Sequence, residues 1–153
     1  MSLIYHFKKE KLESGAFVSR PRILVEISGS NGAIVVPALI DSGCDATVIP
    51  EGIAKAIGLS LDGEKDKLYA FREMNEVVRS RAAISFLGKE HRQSIKLPNV
   101  PVLVVVPKKG DKEEEDITIG IEGVFDAFDI TFKKSQNKII LQKSVKHLFL
   151  TRN

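Results

Sequence analysis

Three residues in a row, Asp41-Ser42-Gly43, offer chemistry, and Asp45 adds a second acid two residues further on. They stand at the end of an apolar run, residues 33–40. A carboxylate at the rim of a core is poorly solvated, which raises the energy of its charged form. Such groups mark places where a protein needs a proton carrier. Acid–base hydrolysis needs two carboxylates, one to take a proton from water and one to give a proton to the scissile group. The chain holds no second Asp-Ser-Gly or Asp-Thr-Gly. Two copies meeting at this turn would supply the second Asp41 by symmetry.

The elements that must deliver Asp41 are legible nearby. Residues 22–27 (RILVEI) read as a strand, and 29–32 (GSNG) form a turn of residues that tolerate positive φ. Residues 33–40 return as a second strand, apolar enough to be buried on both faces. Thr47, Val48 and Ile49 continue as a strand beyond the turn. Pro50 and Glu51 then open a short helix predicted over 51–57, where proline suits the first turn and an acid complements the helix dipole. Gly58 stops it.

Further along, residues 61–67 are loop-like. Residues 68–71 and 77–87 form a long hairpin around Arg72, Glu73, Met74 and Asn75. VPVLVVV, residues 100–106, is another strand, and PKKGDKEEED, residues 107–116, a charged surface loop. Lys8, Lys9, Glu10 and Lys11 read as a polar segment, and residues 145–150 as a last strand. Many short strands without a βαβ rhythm predict an all-β barrel or sandwich.

Composition bounds the reading. The chain has 153 residues, 43% hydrophobic and 28% charged, which suits one domain over 1–153 with a real core. No apolar run is long enough to span a bilayer. One cysteine excludes an internal disulfide. The start, MSLIYHFKKEK, lacks the order of a signal peptide. Together these predict a cytoplasmic protein without a membrane partner. The net charge of +3 is spread along the sequence and interleaved with acids, so no nucleic-acid partner is expected. His6, His91 and His147 lack metal-ligand spacing, and no metal or cofactor is expected.

The segment ALIDSGCDATVI, residues 38–49, resembles the active-site segment of retropepsin-like aspartic proteases. A second segment resembles the same family. Ile117-Thr118-Ile119-Gly120 matches its apolar-apolar-Gly strand, residues 121–128 its short C-terminal helix, and 129–132 with 138–141 its closing hairpin. The resemblance spans about residues 22–141. It implies a closed β-barrel of the acid-protease fold with one or two short helices, and an endopeptidase active as a homodimer on peptide or unfolded-protein substrates. Asp41 would be catalytic. Ser42, Gly43, Cys44 and Asp45 would complete the active-site loop, with Ser42 knitting the two loops together and Asp45 bonding the peptide main chain. Ala70, Phe71, Arg72, Glu73 and Met74 would belong to a substrate-covering flap. Two positions depart from the retroviral pattern: the flap tip holds no glycine, and Ile121 stands where that class has an arginine. The alternative is a non-catalytic module of the same fold that binds peptides or dimerises.

Overall fold

The structure, a computed structural model, describes residues 2–70, 73–89, 93–112 and 116–145. These residues include twelve strands, one α-helix and a 3-10 turn at Lys134–Gln136. The strands and the α-helix are β1 (Ser2–Tyr5), β2 (Lys8–Lys11), β3 (Phe17–Arg20), β4 (Arg22–Gly29), β5 (Gly32–Ile40), β6 (Thr47–Pro50), α1 (Glu51–Ile57), β7 (Lys65–Ala70), β8 (Glu73–Leu87), β9 (Ser94–Val105), β10 (Thr118–Ile119), β11 (Phe128–Lys133) and β12 (Lys138–Lys143).

The main sheet runs β4-β5-β10-β6-β9-β8-β7, and a further pairing of β4 with β8 returns it to its first strand. Six strands thus form a closed circuit, which removes the unpaired edges that an open sheet would expose. The fifteen residues of β8 permit this. One side pairs along β9; the other pairs first with β7 and then, over Ala83 to Phe86, with β4.

Alternation aims the side chains. In β4, Ile23, Val25 and Ile27 are buried while Leu24 and Glu26 between them are not. In β9 the buried positions shift phase, from Ile95 and Leu97 to Val100, Val102 and Val104. Pro98 and Asn99 both face out there, and the register against β8 slips between Ala82 and Ile84. This is a bulge, a place where the missing N–H of proline costs no ladder bond. Phe86 and Phe128 meet edge-on at the centre, 4.8 Å between ring centroids.

β1 pairs with β12, and β12 with β11, in a separate three-stranded sheet whose Leu3, Ile139 and Leu141 join the same core. Tyr5 of β1 is also buried there. Its hydroxyl has no hydrogen-bond partner among the described residues, and burial pushes its phenol above the ordinary range. An unpaired buried hydroxyl is destabilising, so Tyr5→Phe is expected to stabilise the fold by about 1 kcal/mol. Urea unfolding checks this, and a loss of stability would show that the hydroxyl is satisfied.

Four expectations need correction. β5 is not buried on both faces: Val35 is 46% exposed, and only Ala38 and Ile40 are fully covered. A barrel strand has one face toward the interior and nothing layered on the other. Near its start even the inner face opens, and Ile34, Val36 and Ile53 line a groove of about 860 Å³. The segment 121–128 is not a helix but a run of turns, with Phe125 N–H on the Ile121 carbonyl and Phe128 N–H on that of Val124. Gly123 has φ +75° in its middle, which no right-handed helix accommodates. The β7–β8 hairpin is tighter than expected, because Ala70 pairs with Glu73 and leaves only residues 71 and 72 between the strands. Finally, Lys8–Lys11 is a strand, paired with β3 in a two-stranded sheet of its own. Residues 146–150 of the expected last strand, with His91 and His147, lie outside the described residues.

α1 forms where expected. Pro50 caps it in extended geometry, Glu51 and Lys55 pair at 3.0 Å, and Gly58 ends it at φ +76°. Among the described residues no helix is long and apolar enough to cross a membrane.

Candidate active site

Asp41 leaves the barrel at the end of β5. Its main chain is held at once: Asp41 N–H donates to the Ile119 carbonyl at 3.0 Å, and Cys44 N–H donates to the Asp41 carbonyl at 3.2 Å. The second bond closes a four-residue turn, 41–44, within which Gly43 N–H donates to Asp41 Oδ1 at 2.8 Å. A short acid accepting from the N–H two residues on is a self-contained turn. It fixes the carboxylate and leaves Oδ2 with no hydrogen bond from the described residues. Ser42 and Gly43 are exposed and Asp41 partly so, so the carboxyl opens outward.

The other wall is β10, two residues inserted between β5 and β6. Thr118 pairs in parallel with Leu39 and antiparallel with Val48. Beyond it, Ile121 N–H donates to the Cys44 carbonyl at 2.9 Å and Glu122 N–H to that of Asp45 at 2.8 Å. Gly120 passes so close that a Cβ there would lie 2.3 Å from the Ala46 carbonyl carbon and 2.7 Å from the Cys44 oxygen. Its N–H donates to Thr47 Oγ1 at 3.2 Å. Thr47 is fully buried, so its hydroxyl exists to satisfy this glycine. The role of Thr47 was missed in the sequence. Its signal was a hydroxyl at the head of an otherwise apolar strand.

The predicted loop residues therefore come together as one hydrogen-bonded unit. Asp45 is exposed at its end and makes no ion pair among the described residues; Ile121, where an arginine would stand, is 39% exposed. Cys44 Sγ donates to the Ala46 carbonyl at 3.0 Å. Burial pushes this thiol up, and the Asp41 and Asp45 carboxylates add to the effect. Cys44 is accordingly expected to react slowly with a disulfide reagent at about pH 8, its rate still climbing as pH rises further. A rate that levels off below about pH 8 would contradict the upward shift of this half-buried thiol.

The predicted flap residues lie elsewhere on the chain. Ala70 ends β7, Glu73 and Met74 begin β8, and Phe71 and Arg72 lie outside the described residues. No hydrogen bond joins this hairpin end to the 41–45 loop among the described residues. Arg22 is a second feature missed in the sequence. Its side chain, 8% exposed, is gripped by Glu10 and, in a two-pronged bond of 2.7 and 3.0 Å, by Asp116. The Asp116 hydrogen bond is the main reason its guanidinium holds its proton more firmly than usual. The clamp ties the β2–β3 hairpin and the approach to β10 onto β4. Among the described residues no three His, Cys, Asp or Glu side chains converge as metal ligands would.

No family model matches the sequence, and no curated protein does. Solved structures do. A retropepsin-like aspartic protease from Rickettsia conorii superposes with a TM-score of 0.55, covering 92% of this chain and 90% of that one at 13% identity. The chain has the retropepsin-like fold. EIAV protease complexed with the inhibitor HBY-793 is also similar, over 66% of this chain and 81% of that one, with a TM-score of 0.42 and 18% identity. In the retropepsin-like fold adopted here, the loop bearing Asp41 is braced by main-chain bonds with Ile119, Ile121 and Glu122.

Proposed function

We propose that the chain is an aspartic endopeptidase, working as a homodimer in which Asp41 faces the partner's Asp41. The observation that carries this reading is the carboxylate itself: Oδ1 is fixed by Gly43, and Oδ2 is left for a water or a second carboxyl. The likeness in fold to aspartic proteases supports it.

Two carboxyls about 3 Å apart cannot both ionise and share one proton. The ionised member takes a proton from a water held between them. The water oxygen bonds to the peptide carbonyl carbon while the protonated member gives its proton to the carbonyl oxygen. A gem-diol results. As it collapses, the C–N bond breaks, one hydroxyl proton returns to the dyad, and the amine nitrogen takes the other carboxyl's proton. The dyad ends with the single proton it began with. In this reading Ser42 links the two loops, Asp45 bonds the peptide main chain, and the β7–β8 hairpin, with Ala70, Glu73 and Met74 near its tip, covers the substrate.

Ile121 in place of an arginine favours a second reading, a non-catalytic module that binds peptides or dimerises. Solution mass measured beside cleavage of casein from about pH 3 to 8 separates the two. A dimer that cleaves supports the protease. A dimer inert at every pH supports the module, and a chain monomeric at every concentration overturns the paired carboxyls.

A further inference from the structure

The basic residues, dispersed in the sequence, are gathered by the fold. In the β2–β3 hairpin, Lys8 and Glu10 face the groove, so Lys9 and Lys11 face the opposite side, paired with Ser19 and Phe17. Lys9 Nζ stands 4.7 Å from the centre of the Phe17 ring, which is still 60% exposed. Two residues before Lys9, Phe7 packs on Phe132 with 6.4 Å between centroids and carries Lys134 Nζ at 5.6 Å. Asn137 pins this junction, its side-chain oxygen accepting Phe7 N–H at 3.1 Å and its carbonyl accepting from His6 Nδ1 at 2.8 Å. Lys133 and Lys138 pair across the same hairpin end.

The outcome is a strip of Lys134, Phe132, Phe7, Lys9, Phe17 and Lys11. Among the described residues none of its lysines, nor Lys8, Lys133 or Lys138, makes an ion pair. Glu10 is turned to the other face and held by Arg20 and Arg22. Glu13 in the hairpin turn and Asp129 at the far end of β11 are the nearest acids along these elements.

We infer that this strip binds single-stranded nucleic acid, its lysines on phosphates and the exposed rings of Phe17 and Phe132 on bases, while Phe7 anchors the strip to the core. Single strands are held by this combination, in which every nucleotide offers a charge and a π-face. Same-face residues recur about every 7 Å along a strand, a spacing an unstacked chain can follow. A duplex hides the base faces. A membrane would need apolar side chains projecting free of charge, and here two of the rings lie under ammonium groups.

Fluorescence anisotropy with labelled oligouridine over about 50 to 300 mM salt tests this. With three lysines on phosphates, log affinity is expected to fall with log salt at a slope of about −2. Lys9→Gln/Lys11→Gln/Lys134→Gln should abolish both binding and slope. Phe17→Leu should weaken binding about tenfold and leave the slope unchanged. A control losing equal charge elsewhere, Lys65→Gln/Lys96→Gln/Lys108→Gln, should bind as wild type. Equal loss in the control, no binding by wild type, or binding to phosphatidylserine vesicles without oligouridine would each overturn the inference.

Discussion

Asp41→Asn is expected to lower casein cleavage by at least about 10³-fold and to leave solution mass and far-UV circular dichroism unchanged. Asparagine has the same shape and keeps an oxygen for Gly43 N–H, so the 41–44 turn survives. What it cannot do is take up and return a proton, and in a symmetric pair the base and the acid are lost together. Mixing sharpens the test. With equal amounts of both chains, about a quarter of randomly formed dimers keep two aspartates. Activity per wild-type chain should then fall to about half. Activity unaffected by the added variant would mean that each chain works alone, and cleavage retained in the pure variant would remove Asp41 from the chemistry.

Gly120→Ala is expected to have the second-largest effect. Nothing about the φ angle of this glycine forbids alanine; the obstacle is space. The new methyl would fall on the Ala46 carbonyl and against the Cys44 oxygen, both main-chain atoms that cannot rotate away. Either β10 or the 41–46 loop must move. Overpacking of this kind costs about 2–3 kcal/mol, a drop in Tm of about 4–12 °C for a chain of this size. Displacing a reacting carboxyl by about 1 Å costs on the order of 10²-fold in rate. Thermal unfolding and casein cleavage measure the two effects. A variant as stable as wild type would mean that the packing of residues 119–122 on the loop is slack.

Asp41 and Gly120 lie far apart in sequence, yet both were legible, because each is a residue type whose neighbours restrict its use. An acid closing an apolar strand and a glycine closing another are local signals. The strands of the barrel were legible for a similar reason: Ile23, Val25 and Ile27 alternate with half-exposed residues. What was not legible depends on partners distant in the chain. Lys8–Lys11 carries no alternation, and Glu10 there makes its bonds to Arg20 of β3 and to Arg22 of β4. The apolar content of β5 overstated its burial, since composition cannot report that no layer covers its outer face. The helix over residues 121–128 was implied by the resemblance alone, and the left-handed conformation of Gly123 breaks it into turns. The part of β9 before residue 100 was not legible, because the bulge at Pro98 and Asn99 breaks its alternation.

The pairing of β1 with β12 sets Ser2 beside Gln142 and Tyr5 beside Ile139. Contacts between residues this far apart in sequence are the costliest to form, since a long loop must be closed before they are made. Leu3 therefore has no strand beside it until Leu141 is in place. Folding is then expected to be slow, in the range of milliseconds to seconds, with the terminal sheet added late. A chain that stops short of β12 would keep Asp41 and its turn but leave Leu3 and Tyr5 without the strand that pairs with theirs, so the Asp41 loop and the cover of Leu3 are built from separable parts of the sequence.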